Sequence, residues 1–212
     1  MDDATSLRRA MVDQQIIARG VSDPRVIHAM LTVPREAFVP EGWQAHAYND
    51  GPLPIGADQT ISQPYIVGLM IEAAAMQPGD RVLEIGAGSG YAAAVMSRIA
   101  GEVWAIERIP KLADRARRVL ADLGCDNVMI LDADGTAGLP ERAPFQAIIV
   151  SAAAPTLPPA LLEQLAPGGR LVAPLGGRFQ QQLTVYSRTE DGSISAEDLG
   201  GVAFVPLISG QV

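Results

Sequence analysis

The sequence predicts a doubly wound α/β domain, a mostly parallel sheet covered by helices on both faces. Three observations carry this expectation. From about residue 81 onward, short apolar runs alternate with helical ones. A glycine-rich turn, Gly86-Ala87-Gly88-Ser89-Gly90, separates the first of these runs from the next helix. The chain is 212 residues long, 48% hydrophobic and 19% charged, which suits one soluble domain with a sizeable core.

The elements follow in order. Residues 1–63 read as an N-terminal helical and covering segment, and residues 64–212 as the α/β domain, together one compact unit. In the first segment, Asp23-Pro24 opens a helix carrying Val26, Ile27, Met30 and Leu31, with Pro24 at its first position. A long connection punctuated by Pro34, Pro40, Gly42, Gly51, Pro52, Pro54 and Gly56 comes next. Its apolar residues Phe38, Trp43, Tyr48, Leu53 and Ile55 predict an ordered cover rather than a loose linker. A helix runs from Pro64 to about Met76. The alternation then reads RVLEI, a helix Tyr91–Ile99, EVWAIE, a helix Lys111–Leu123, NVMIL, QAIIVS, a helix Pro159–Leu165, and GRLVAP. The strands are continuously apolar, as in a parallel sheet buried on both faces. Leu112, Ala116, Val119, Leu120 and Leu123 share one face of their helix at helical spacing. The end departs from this pattern. QQLTVYSRTEDGSIS reads as an antiparallel hairpin around Asp191-Gly192, and GVAFVPLISG as one more strand.

Composition narrows the function. A net charge of −8 argues against a nucleic-acid binder, and Arg115, Arg117 and Arg118, interleaved with Asp114 and Asp122, read as a solvated helix face. One cysteine, Cys125, excludes an internal disulfide or a Cys-based zinc site and reads as packed rather than reactive. No secretory signal and no membrane-length apolar run is visible, so the expectation is a cytoplasmic protein with no membrane and no metal. His28 and His46 read as structural or surface residues.

The glycine turn follows the first strand and opens a helix, where a ligand can approach the backbone closely. A dinucleotide loop reads G-x-G-x-x-G. Here the third glycine comes one place early and Tyr91 holds its position, which leans away from NAD and towards S-adenosyl-L-methionine. Glu107 ends the second strand, where a carboxylate accepts from ribose hydroxyls. Glu84, inside the first strand, needs a partner in a sheet core and either braces the glycine loop or meets the cofactor's amino group. Asp134-Gly135, after the third strand, places a carboxylate for the adenine amino group; a plain turn is the alternative.

These segments resemble the protein-L-isoaspartate O-methyltransferases over nearly the whole chain. MVDQQIIARGVSDPRVIHAMLTVPREAFVP is similar to the family's N-terminal helical region, PLPIGADQTISQPY to its signature segment, VLEIGAGSGY to its S-adenosylmethionine loop, APFQAIIVSAAAP to its fourth-strand region, and FVPLISG to its C-terminal strand. The resemblance implies a Rossmann-like methyltransferase domain with a C-terminal antiparallel hairpin and an N-terminal helical extension. It implies methyl transfer from S-adenosyl-L-methionine to the α-carboxylate of L-isoaspartyl residues in damaged proteins and peptides, leaving S-adenosyl-L-homocysteine and starting repair through a succinimide. By position it makes Ser62 the active-site serine, with Thr60 to Ser62 bordering cofactor and substrate. Gly86, Ala87, Gly88, Glu107, Asp134 and Gly135 fall on cofactor positions, and the backbone of Val205 on the substrate. The protein is expected to act as a monomer. Asp58, Gln146 and Ala203 depart from the family's usual glycine, aspartate and arginine.

The chemistry suits so few ionisable groups. A carboxylate of pKa about 3.5 to 4 is already ionised at neutral pH and needs no base. Catalysis can then come from holding it in line with the methyl group, with Ser62 as the orienting donor. Ser62 also stands where it could cap the helix that begins at Pro64. After the fourth strand VSAAAP reads as small apolar lining with no polar group to accept an amine proton, which weakens an amine-methylating reading. The other readings are a methyltransferase for small metabolites or nucleic acid, a non-catalytic S-adenosylmethionine-binding protein, and a nicotinamide oxidoreductase.

Overall fold

A computed structural model describes residues 3–177 and 179–210. The N-terminal segment contributes α1 (Asp3–Met11), a π-turn over Val12–Ile16 and α2 (Pro24–Thr32). Asp23 caps α2 by accepting from the Arg25 N–H, and Pro24 occupies the first turn as expected. The proline-rich connection is ordered. It forms short 3₁₀ turns at Arg35–Phe38 and Gln44–His46, then a small hairpin of β1 (Leu53–Gly56) and β2 (Gln59–Ile61). The two residues between these strands, Ala57 and Asp58, have φ of 51° and 56°, the left-handed pair that closes a two-residue hairpin.

The remaining elements are α3 (Pro64–Ala74), β3 (Arg81–Ile85), α4 (Tyr91–Ser97), β4 (Glu102–Glu107), α5 (Pro110–Asp122), β5 (Val128–Asp132), β6 (Phe145–Val150), α6 (Pro159–Glu163), β7 (Leu165–Gly177), β8 (Gln180–Arg188) and β9 (Ile194–Val202). The main sheet runs β5-β4-β3-β6-β7-β8-β9. The first five strands are parallel and the last two antiparallel. This is the predicted doubly wound sheet with its terminal hairpin. The predicted helices and strands stand within a few residues of their expected bounds; α6 ends at Glu163, short of the expected Leu165, because Leu165 already pairs with Phe145.

One expectation is corrected. Residues 203–210 do not form a further strand. After β9 the chain crosses the carboxyl end of the sheet as a strap, held by an isolated parallel bridge between Ala153 and Pro206 and by the Gln181 side chain, which donates to the Phe204 carbonyl and accepts from its N–H. The Val205 carbonyl accepts from the Ala153 N–H, and the Leu207 N–H donates to the Ala153 carbonyl. Pro206 has no N–H to extend a ladder.

The period of two along each strand divides the core. Val82, Val103, Ala147 and Val172 face α3, α4, α5 and the N-terminal segment, with Met11, Ile16, Met30 and Phe38 in the same apolar cluster. Leu83, Ile106, Ile148 and Leu171 face the other way, against Leu139, Leu161 and Leu165. Glu84 lies between Leu83 and Ile85 and so turns towards α3 and α4. The strand order reverses between β3 and β6, which puts a ligand crevice at the carboxyl end of β3. His28 and His46 are exposed and Cys125 is buried.

Candidate active site

The crevice is built around the turn after β3. Gly86, Gly88 and Gly90 have φ of 85°, 54° and 85°, a left-handed backbone that favours glycine. The Gly86 and Ala87 N–H groups donate to the Ile106 carbonyl at 2.8 and 3.0 Å, and the Gly90 N–H to the Ala87 carbonyl at 2.8 Å. The Gly88 N–H donates to Glu107 Oε2 at 2.8 Å. These amides are therefore engaged within the chain. A dinucleotide pyrophosphate needs such donors pointing outward, so the loop offers close approach rather than an anion cradle, and the nicotinamide reading loses its main support.

Glu107 is buried at the end of β4 and receives a second bond, from the Ile109 N–H at 2.9 Å to Oε1. The bracing of the glycine loop, one of the two roles expected of Glu84, thus falls to Glu107. Each Glu107 oxygen accepts one bond and keeps further acceptor capacity, and Glu107 lines a cavity at this end of the sheet. Glu84 is fully buried, and its Oε1 accepts from the Ser151 hydroxyl at 3.1 Å. Its Oε2 is buried with no partner among the described residues, and Glu84 is one of the residues lining the cavity beside Gly86 and Tyr91.

Burial pushes the Glu84 carboxyl up to about 8, with the nearby Glu107 adding to the rise and the Ser151 bond opposing it. The consequence has a definite sign. The folded chain holds a proton here that the unfolded chain releases near its ordinary carboxylate pKa. The stability this contributes is present below the unfolded pKa and is lost as pH rises towards 8. The Glu84→Gln variant removes this dependence. In denaturant titrations without ligand, its stability relative to the parent should grow by roughly 3 kcal/mol between pH 4.5 and 7. A constant difference across that range would show that Glu84 does not titrate in this way.

Three concavities meet at this end of the sheet. Ser62, Glu84, Gly86 and Tyr91 line one. Glu107, Ile109, Gly135 and Leu207 line a second, on the other side of the glycine turn. The third is an open groove of about 740 Å³ bounded by Arg19, Tyr65, Gln182 and Phe204. Thr60 and Ser151 border all three. Ser62 borders the first and the groove, and Val205 borders the second and the groove. The predicted Thr60, Ser62, Gly86, Gly88, Glu107, Gly135 and Val205 therefore come together, and Ala87 lines the first cavity with them.

Two predicted residues sit differently. Ser62 does not cap α3. The cap residue is Gln63, which makes no side-chain capping bond, and the Ser62 hydroxyl has no hydrogen bond among the described residues. Asp134 does not line these concavities. Its Oδ1 caps the following turn, accepting from the Thr136 N–H and hydroxyl at 2.9 and 2.7 Å. Its Oδ2 accepts from the Gly210 N–H at 2.6 Å. These bonds hold the Asp134 carboxyl below the usual range, the Gly210 bond contributing most. Gly135 itself is enforced by packing, because a Cβ there would lie 2.5 Å from Ile85 Cγ2.

Sequence reasoning missed two residues. Ser151 sits at the centre of the site, at the carboxyl end of β6, although VSAAAP reads as small apolar lining. Its place beside the reversal of strand order was the available signal. Arg35, at the start of a 3₁₀ turn, is completely buried behind Ser62. Among the described residues no cluster of His, Cys, Asp or Glu is placed to hold a metal ion, and no helix is long and apolar enough to cross a membrane.

Comparison with known proteins agrees with this geometry. Residues 6–212 match the family model of protein-L-isoaspartate(D-aspartate) O-methyltransferase. A protein-L-isoaspartate O-methyltransferase of Roseiflexus castenholzii is 57% identical over 209 residues, covering 99% of this chain and 95% of that protein. One of Pelotomaculum thermopropionicum is 55% identical over 207 residues, covering 98% and 90%. A solved protein-L-isoaspartate O-methyltransferase superposes with a TM-score of 0.85 at 30% identity, covering 94% of this chain and 65% of that longer one. A putative protein-L-isoaspartate O-methyltransferase from Plasmodium falciparum, in complex with S-adenosyl-L-homocysteine, superposes with a TM-score of 0.81 at 27% identity, covering 96% and 99%. A match that runs through every strand of the sheet, the glycine turn and the Ser62 segment places this chain in the protein-L-isoaspartate(D-aspartate) O-methyltransferase family.

Proposed function

We propose that Ser62 orients the α-carboxylate of an L-isoaspartyl residue for methylation by S-adenosyl-L-methionine, the reaction of the family to which the chain belongs. The observation that carries this reading is the position of Thr60, Ser62 and Ser151. They stand where the cavity beside the glycine turn opens into the wide groove. A donor bound on one side of this junction and a peptide lying in the groove meet there.

The residues present fit the methyl donor. The unpartnered Glu84 Oε2 suits its α-ammonium, the free lone pairs of Glu107 suit its ribose hydroxyls, and Gly86 to Gly88 allow close approach. Gly135 walls the second cavity, whereas Asp134 beside it stays outside, its oxygens held by Thr136 and Gly210. When bound, S-adenosyl-L-methionine supplies a methyl group on a positively charged sulfur, which makes the thioether a good leaving group. The chain's own work is then geometric. Ser62 donates its hydroxyl to one carboxylate oxygen and leaves the other facing the methyl carbon. No base is needed, because the acceptor is already ionised, and alignment supplies most of the rate.

The first 63 residues serve as the substrate-covering segment, and the Val205 backbone borders the peptide. The ester formed is then attacked by the adjoining peptide nitrogen, methanol leaves, and the succinimide reopens by hydrolysis. The test is a matched pair of peptides differing only in an isoaspartyl or an aspartyl linkage. Methyl ester should form on the first at a rate at least about 10²-fold above the second. Equal rates would sink the reading, and binding of the donor with no ester on either peptide would make the chain a non-catalytic relative.

A further inference from the structure

We infer that Arg35 is a positioning residue for the acceptor carboxylate: its buried guanidinium holds the Ser62 backbone and leaves one uncancelled positive charge behind the site. This builds on the Ser62 reading above. Arg35 is 0% exposed. Its Nε donates to the Ala47 carbonyl at 2.8 Å and its Nη2 to the Ser62 carbonyl at 2.7 Å. Its Nη1 is buried with no partner. The guanidinium carbon lies 4.8 Å from the centre of the Tyr91 ring. Arg35 therefore ties together Ser62 and Tyr91, two walls of the same cavity.

What marks this arginine is the missing counter-ion. Among the described residues it makes no salt bridge with a carboxylate, although a buried charge is normally paired. The neighbouring acid, Glu36, is taken by Arg8, with Nη2 to Oε1 at 3.3 Å. Glu36 also accepts from the Tyr48 hydroxyl, to which Arg8 Nε donates at 2.9 Å. The charged and titratable groups around Arg35 are thus Tyr91 on α4, Tyr48 in the connection, and the Arg8–Glu36 pair beyond it. That pair cancels itself and both tyrosines are neutral at physiological pH. Burial lowers the Arg35 pKa to about 10, so the side chain keeps its proton at neutral pH. In a water-poor interior such a charge acts over several ångströms, and an arriving carboxylate is the anion that would complete the pair. A purely structural stitch between Ala47 and Ser62 would need only hydrogen bonds, not a charge without a counter-ion.

The test compares the parent with Arg35→Met and Arg35→Lys, using isoaspartyl peptide at saturating S-adenosyl-L-methionine from pH 6 to 9. Binding of S-adenosyl-L-homocysteine is measured by calorimetry at each pH. Arg35→Met should lower kcat/KM for the peptide on the order of 10²-fold, mostly through KM, while homocysteine-product affinity changes by less than about threefold. A buried ammonium loses its proton far more readily than a guanidinium. Arg35→Lys should therefore retain a large part of the activity at pH 6 and fall to the level of Arg35→Met by pH 9. An Arg35→Lys profile parallel to the parent's would overturn the inference. So would a loss of product affinity in Arg35→Met as large as the loss of kcat/KM. If Arg35→Met does not fold, the Arg35→Lys profile decides alone. A failure of the Ser62 reading is seen separately, as normal turnover in Ser62→Ala.

Discussion

Replacing Ser62 with alanine should lower turnover of an isoaspartyl peptide by about 10²-fold while leaving the fold almost untouched. The two halves of this expectation have different causes. Removing one preorganised donor at a reacting oxyanion commonly costs 10²- to 10³-fold in rate. The carboxylate already carries its charge before reaction, so the hydroxyl acts mainly through alignment, and the lower end of that range applies. Stability is spared because the cap position of α3 belongs to Gln63, and the Ser62 side chain makes no bond among the described residues. The backbone carbonyl that Arg35 holds is unchanged by the substitution. Thermal unfolding should shift by the equivalent of less than about 0.5 kcal/mol. Kinetics with saturating donor and unfolding curves on the same preparation check both halves. Unchanged turnover with a loss near 1 kcal/mol would return Ser62 to the role of a helix cap.

Glu107→Ala should abolish most donor binding and also weaken the fold. The carboxylate accepts from the Gly88 and Ile109 N–H groups at 2.8 and 2.9 Å, joining the glycine turn to the start of α5. Hydrogen bonds to a charged group contribute about 1.5–3 kcal/mol each, and buried N–H groups left without a partner are costly. The variant should therefore lose roughly 2–4 kcal/mol of stability. Its affinity for S-adenosyl-L-homocysteine should fall by at least about 10²-fold, since the ribose loses its acceptor and the turn its brace. Glu107→Gln separates the two effects. It retains one acceptor oxygen, so stability recovers more than affinity does. Calorimetric affinity within threefold of the parent in Glu107→Ala would remove Glu107 from the donor site.

The sheet was legible because its strands are buried on both faces and its helices carry one apolar stripe. RVLEI and EVWAIE became β3 and β4 with no break in the pattern. The glycine turn and Glu107 were legible for a related reason, since ligand sites in open sheets fall at the carboxyl ends of strands. What was missed lacks a local signature. The β1–β2 hairpin turns on Ala57 and Asp58, both left-handed, where an Asn-Gly pair would have announced it. The strap of residues 203–210 reads as a strand by composition, and only its crossing over Ala153 shows that it cannot be one. Arg35 carries no mark in the sequence, because burial of a charge is decided by tertiary packing. Asp134 shows the converse: the carboxylate is where the pattern puts it, yet its oxygens are held by Thr136 and Gly210. The assignment of Ser62 rests on family likeness rather than spacing. The structure adds that its hydroxyl is not engaged by the helix beside it.

At the centre of this account is an acceptor that reaches the site already ionised, so that the chain only aims it. The most direct test is kcat for an isoaspartyl peptide at saturating S-adenosyl-L-methionine, followed from pH 5.5 to 8. The account predicts a rate level within about twofold, because the carboxylate is ionised throughout this window and no base must first lose a proton. A rate climbing close to tenfold for each pH unit would mean that a proton is removed in the reaction, and would contradict it.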